Sequence, residues 1–246
     1  PSGKSEATEF GSAVHYALQK LFQQMQQNNN QFPDQSEFLA AFKWYMDRNK
    51  EHFTKEQFDR RIEQGEQVLP AYYERYIHEW EKIVAIETNI SKVTIKDIPL
   101  KGKLDKLEFT GRQVNVVDYK TGDAEKGIKK LNPPNEKDPI GGDYWRQAVF
   151  YKILVDNSSR NWEAVSAEFD FIEPDKKKGY LKEKRIITPQ DIATVTAQIE
   201  MVWEKIKKRD FYTGCGKEDC RWCEFVKTNE MAVALHEPDE NEEEAA

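Results

Sequence analysis

Apolar positions along the first 80 residues recur at helical spacing. Val14, Leu18, Leu21, Phe22 and Met25 mark one face of an amphipathic helix predicted over 10–27. The polar run 26–31 and Pro33 then call for a loop. Ser36 is expected to cap a second helix, with Phe38, Leu39, Phe42 and Tyr45 on its inner face. A long third helix is predicted over 55–80, kinked or divided at Pro70. Near Lys82 the period changes to alternation rich in β-branched residues, which predicts a strand over 83–98. Segments 100–109 and 113–119 read as a hairpin. A long polar loop with Pro133, Pro134 and Pro139 follows over 123–142, and loops of that length are usually functional or mobile. A helix over 143–155, strands over 164–172 and 182–187, a helix opened by Thr188-Pro189 and running to about 208, and a short helix near Phe225 complete the series. Helices, then a sheet interrupted by a helix, then helices predict a mixed α/β fold with helices packed on a central sheet.

Composition permits a core of normal size: 38% of the 246 residues are hydrophobic, including 13 Phe, 10 Tyr and 6 Trp. The net charge of −7 does not by itself advertise a nucleic-acid partner. Six of those negative charges, however, lie on Glu237, Asp239, Glu240, Glu242, Glu243 and Glu244, so residues 1–236 carry only −1 and leave room for a local basic groove. The expected organisation is one domain over 1–236 (a helical section over 1–81, then sheet core and C-terminal helices over 82–236) followed by a disordered acidic tail over 237–246. No apolar run reaches the length of a membrane span, and no signal peptide opens the chain. With only three Cys, a reducing, cytoplasmic setting and no membrane partner are expected. Gly3-Lys4-Ser5 lacks the upstream half of a phosphate-binding loop, so no ATP motor is expected within the chain.

The hairpin carries the chemistry. Gly111-Arg112 suits a two-residue turn with Gly at its first central position. That turn pairs Thr110 with Gln113, Phe109 with Val114, Leu107 with Val116 and Asp105 with Asp118, all on the apolar face. Directly opposed side chains lie about 4.5–5.5 Å apart at Cβ. Two carboxylates that close repel unless a cation or a proton lies between them. Lys120, two residues past Asp118, points the same way. An oxygen-rich pair of acids suits Mg²⁺ or Mn²⁺, and a lysine beside it could orient a water or stabilise charge on a phosphate. An ordinary ion pair between these acids and Lys103 or Lys120 explains the same pattern equally well on geometry alone.

Gly102-Lys103-Leu104-Asp105 followed by Val117-Asp118-Tyr119-Lys120-Thr121-Gly122 resembles the PD-(D/E)XK nuclease superfamily. Gln147-Ala148-Val149-Phe150-Tyr151 resembles the Q-x-x-x-Y motif of its RecB-like branch, and Gly11-Ser12-Ala13-Val14-His15 resembles that branch's histidine-bearing first helix. The resemblance spans residues 11–151. It implies a restriction-endonuclease-like fold, with His15, Asp105, Asp118 and the Tyr119 carbonyl as ligands of Mg²⁺ or Mn²⁺, and Lys120 as the catalytic lysine. Gln147 and Tyr151, one helical turn apart, would support the site or touch the DNA backbone, though Tyr144, Gln147, Tyr151 and Leu154 also form a stripe that core packing would explain. Glu87 could join the site from the preceding strand, with a surface acid the favoured reading. Lys126, Lys129, Lys130, Lys137 and Arg146 flank the long loop, as phosphate contacts or as solvated charges.

The resemblance further implies a DNA exonuclease acting on single-stranded ends, as the nuclease module of a helicase–nuclease (UvrD/Rep-type or AddAB-type) in recombination and double-strand-break repair. The helicase motor would lie in the same chain or a partner chain. A non-catalytic DNA-binding or scaffold domain is the alternative, and a nuclease acting on RNA a third reading. Cys215, Cys220 and Cys223 have C-x4-C-x2-C spacing, which suits zinc or an iron–sulfur centre. Several RecB-like nucleases carry a [4Fe-4S] cluster on four cysteines. The fourth would then lie upstream of Pro1 in a longer protein, with His236 as a zinc-site alternative; three reduced thiols packed near Trp222 and Phe225 are the simpler reading.

Overall fold

The computed structural model describes residues 5–210, 220 and 223–225. The chain divides into two compact units, residues 1–195 and 196–246.

Helix α1 (Glu6–Gln27) starts earlier than its apolar stripe suggests, because Ser5 caps it by accepting from the Thr8 N–H, and Glu6 and Glu9 sit in its first turn. Its buried face holds the five predicted residues together with Phe10, Ala13 and Ala17. Helix α2 (Gln35–Arg48) is capped by Asp34, not by Ser36: the Asp34 carboxylate accepts from both Ser36 N and Glu37 N. Ser36 spends its hydroxyl on the same carboxylate. A single 3-10 turn, Lys50–His52, leads to α3 (Lys55–Tyr76). Thr54 and Gln57 close a reciprocal capping box at its start. Pro70 does not divide α3, which runs through it. Gly65 lets α2 approach, since a Cβ there would lie 2.2 Å from the Phe42 ring.

The five-stranded sheet has the order β1-β2-β3-β4-β5. Strands β1 (Val84–Ile95), β2 (Ile98–Thr110) and β3 (Gln113–Lys120) are successive antiparallel neighbours. Strand β4 (Glu163–Phe171) lies parallel to β3, and β5 (Lys182–Arg185) is antiparallel to β4. The crossover between β3 and β4 contains α4 (Ala124–Lys129) and α5 (Asp143–Asp156). The single strand expected over 83–98 ends instead at Ile95. Lys96 and Asp97 both take positive φ, 47° and 65°, and turn the chain directly into β2. Lys-Asp is not among the dipeptides that advertise such a turn. The expected loop over 123–142 also holds more order than its composition suggests. Asp123 caps α4, and the carbonyls of Lys130 and Asn132 accept from Tyr144, Trp145 and Gly142.

Helices cover both faces of the sheet. On one face α1–α3 bury Phe22, Phe42, Leu69 and Tyr72 in a cluster that includes Val117, Tyr119 and Ile172. On the other, Tyr151, Leu154 and Val155 of α5 pack on Leu104, Leu107, Val114 and Val116. Strand β3 is therefore buried on both sides. A charged row not anticipated from the sequence lies under α1–α3. Lys106, 1% exposed, meets Glu108 at 2.9 Å, while Asp170 accepts from Tyr72 at 2.7 Å and meets Lys182 at 2.9 Å. Helix α6 (Pro189–Lys207) opens with Thr188 and Asp191 bonded reciprocally. It crosses the boundary between the two units. Of the rest of the second unit, Cys220 is partly buried and 223–225 are helical. Cys215, His236 and the acidic tail lie outside the described residues, and with them the C-x4-C-x2-C expectation as a whole. No helix among the described residues is long and apolar enough to cross a membrane.

Candidate active site

The β2–β3 register is the predicted one, from Thr110↔Gln113 to Lys106↔Val117. Gly111 alone of the turn pair has positive φ, 63°, which suits the II′ geometry that matches strand twist. The paired ladder stops one step before the two acids. There the Tyr119 N–H donates to Asp105 Oδ2 at 3.1 Å, so the Asp105 side chain takes over the ladder bond. Asp105 and Asp118 open into one cavity of about 800 Å³, lined also by His15, Tyr16, Tyr45, Glu87, Lys103, Lys120, Tyr144, Gln147 and Tyr151.

Asp118 is the hub. Its Oδ1 accepts from the Tyr151 hydroxyl at 2.5 Å and from Gln147 Nε2 at 3.0 Å. Its Oδ2 lies 2.6 Å from Lys120 Nζ, yet the contact is too misaligned for a hydrogen bond, and that buried oxygen has no hydrogen-bond partner. Gln147 ties the group together, because its Oε1 accepts from Lys120 Nζ at 2.9 Å. The same ammonium sits 4.4 Å from the centre of the Tyr144 ring. Gln147 and Tyr151 thus face the same carboxylate from one turn of α5, while Tyr144 supports Lys120.

His15 reaches the site from α1. Its Nε2–H donates to the Tyr119 carbonyl at 2.9 Å and Nδ1 faces Asp105 Oδ2 at 3.3 Å. Burial opposes an imidazolium here. The hydrogen bond to Asp105 and the charges of Asp105 and Asp118 outweigh it and raise the His15 pKa. For Asp105, burial likewise works against the anion, but the His15 bond and charge and the Tyr119 N–H hold its carboxyl below the usual range. Asp118 goes the other way. Burial and the nearby Asp105 charge push it up more than Lys120 and Tyr151 pull it down. One acid is satisfied by the protein and the other, 4% exposed, holds its negative charge at a cost.

Glu87 is not the surface acid expected. Its side chain is 15% exposed, ion-paired with Lys103, and it lines the cavity. Its φ of 51° in mid-strand is the left-handed conformation that costs a non-glycine residue about 1–3 kcal/mol. The register places it across from Asp105, since Ile86 pairs with Lys106 and Thr88 with Leu104. The basic residues in and beside the 123–142 segment do not line the cavity. Arg146 is bound to Asp143 and to the Gly141 carbonyl, and Lys126 lies 3.8 Å from Asp123. Among the described residues no three His, Cys, Asp or Glu side chains converge as a ready metal-binding group. The donors that could hold an ion here are mixed: two carboxylates, an imidazole and the Tyr119 carbonyl, with His15 at present in contact with Asp105 and that carbonyl, and Asp118 with Tyr151, Gln147 and Lys120. Hard oxygen donors with one nitrogen, and a buried Asp118 oxygen without a hydrogen bond, are chemically suited to a hard divalent cation.

A central mixed sheet with helices on both faces, carrying one acid within β2 and an acid and a lysine at the end of the adjacent β3, has the form of a nuclease core. The PD-(D/E)XK nuclease superfamily model matches residues 1–228, and the chain belongs to that superfamily. A crystal structure of a Eubacterium rectale protein, provisionally described as an exonuclease, matches with a TM-score of 0.51 over 92% of this chain and 76% of that one. The two are 14% identical, so the likeness concerns the fold. No curated protein matches the chain.

Proposed function

We propose that the chain is an Mg²⁺- or Mn²⁺-dependent deoxyribonuclease, an exonuclease acting on single-stranded ends as the nuclease module of a helicase–nuclease in recombination and double-strand-break repair. The observation that carries the nuclease chemistry is the junction of Asp105, Asp118, Lys120 and His15 in one cavity, although His15 and Tyr119 are 104 residues apart. Membership of the superfamily and the exonuclease description of the structural neighbour support it.

Asp105, Asp118, His15 and the Tyr119 carbonyl would hold the ion, the contacts of His15 with Asp105 and with that carbonyl being exchanged for it. When bound, the ion supplies a water of lowered pKa and neutralises charge on the phosphate. Lys120 is the group left to face the phosphate, its ammonium fixed by Gln147 and Tyr144. Its charge stabilises the negative oxygens that develop as a water oxygen adds to phosphorus and the strand oxygen leaves. Tyr151 and Gln147 hold Oδ1 of Asp118 and so leave Oδ2, beside Lys120 Nζ, as the oxygen open to an ion.

The test is incubation of labelled single- and double-stranded DNA with Mn²⁺ or EDTA, comparing wild type with Asp118→Asn and Lys120→Ala. Metal-dependent shortening from an end by wild type alone is expected. Equal cutting by all three would defeat the site assignment, and binding without cutting would make the chain a DNA-binding scaffold.

A further inference from the structure

The site cavity has an aromatic wall that nuclease chemistry does not require. Trp44 of α2 is 48% exposed, unusual for so large an aromatic residue. Its indole stacks on Tyr16 of α1, with ring centres 5.1 Å apart and planes 16° from parallel. Tyr45 lies 5.4 Å further along. Cations cover this ladder: the Arg48 guanidinium lies 4.9 Å from the Trp44 ring centre and Lys20 Nζ 5.4 Å from that of Tyr16. A second cavity of about 460 Å³ is lined by Trp44, Tyr16, Lys20, Gln23, Gln24 and Glu37 among others. Tyr16 lines both cavities, and Tyr45 lines the one that holds the acids.

We propose that Trp44 and Tyr16, with Arg48 and Lys20, form a base-stacking track that leads single-stranded nucleic acid into the site. The inference rests on the nuclease reading for its choice of occupant. Every base offers a π face, so a base that takes the place of the Arg48 guanidinium over the Trp44 ring stacks there without regard to sequence, and the freed guanidinium and Lys20 take the phosphates. A duplex hides its base faces within its own stack, so the track discriminates against it. Beside the rings the second cavity is lined by Lys20 and by Gln23, Gln24 and Gln27, whose N–H groups can donate to a phosphate backbone, with Glu37 as the acid among its lining residues.

The experiment is equilibrium binding in EDTA, where no strand is cut, with three probes: a short labelled oligothymidylate, an abasic strand of equal length and phosphate number, and a blunt duplex. Wild type is expected to prefer oligothymidylate over both. Trp44→Ala should weaken oligothymidylate binding about tenfold or more, and leave abasic binding unchanged. Equal loss on the abasic strand, no loss on oligothymidylate, or no preference of wild type for bases overturns the track. Should the alanine variant fold poorly, Trp44→Phe serves. It should keep the affinity but lose part of the tryptophan-fluorescence quenching that oligothymidylate causes in wild type, and undiminished quenching overturns the proposal. Cleavage in Mn²⁺ is read separately. Cutting without base-dependent binding refutes the track alone, and base-dependent binding without cutting refutes the nuclease reading alone.

Discussion

Lys120 Nζ lies 2.6 Å from Asp118 Oδ2, two residues away on the same strand, and the Gln147 side chain bonds to both partners. A lone ion pair would not need such a clamp. The amide keeps the ammonium beside the carboxylate while one carboxylate oxygen is left without a hydrogen bond. Removing the ammonium should therefore separate catalysis from binding. Lys120→Ala is expected to lower metal-dependent cleavage about a hundredfold or more, the scale of losing one charge-stabilising donor. Its DNA affinity should change far less. Kinetics on labelled single strands check this, and cleavage at the wild-type rate would remove Lys120 from the chemistry.

Tyr151 is a positioning residue, since its hydroxyl donates to Asp118 Oδ1. Tyr151→Phe deletes one hydroxyl and strands a buried carboxylate oxygen on a single remaining donor, Gln147. A stability loss of about 1 kcal/mol is expected, with a fall of roughly tenfold in Mn²⁺ affinity or in activity. Denaturant melts and a Mn²⁺ titration of cleavage read the two effects separately. A variant that loses stability but keeps its Mn²⁺ dependence would make Tyr151 mere core.

Lys106 is wholly buried between the Phe22 and Tyr119 rings, and its charge is balanced by Glu108. Lys106→Met keeps the bulk but leaves that carboxylate without its ammonium partner. Breaking a buried pair from one side costs about 3–5 kcal/mol, and part of that range is expected here, because Asn115 still donates to Glu108. Urea unfolding gives the value, and an unchanged midpoint would show the pair to be energetically idle.

Asp170 supplies a pH dependence independent of the site. Burial raises its pKa, against the opposing pull of Lys182 and the Tyr72 hydroxyl. As pH rises past about 4, where an unfolded Asp ionises, the unfolded chain releases this proton before the folded one does. The folded state then loses relative stability until the raised folded pKa is passed. Asp170→Asn should remove this loss. Its stability relative to wild type should improve as pH climbs through that window, measured by thermal melts across a pH series. A constant difference between the two proteins across the series would contradict the shift.

Strictly local rules made part of this site readable. The two-residue turn at Gly111 fixes strand parity, so Asp105, Asp118 and Lys120 had to share a face. Helical spacing likewise put Gln147 and Tyr151 on one side of α5. Neither rule could say that the α5 face meets Asp118, because that contact depends on the β3–α5–β4 crossover bringing the helix over the sheet. His15 was suggested by resemblance alone, and its contacts with Tyr119 and Asp105 exist only because α1 packs on β3. Glu87 lines the cavity from a position of positive φ, a backbone departure that no local pattern in the sequence announces.

The sequence determined the elements, the hairpin register and the types of residue available for the chemistry, because these follow from steric preferences and periods that act over a few neighbours. Tertiary structure decided which charges are buried, which acid is stabilised and which is not, and which aromatic rings border the cavity. Those properties depend on what lies across the sheet from each side chain, and desolvation and charge pairing are set by neighbours far away in the chain.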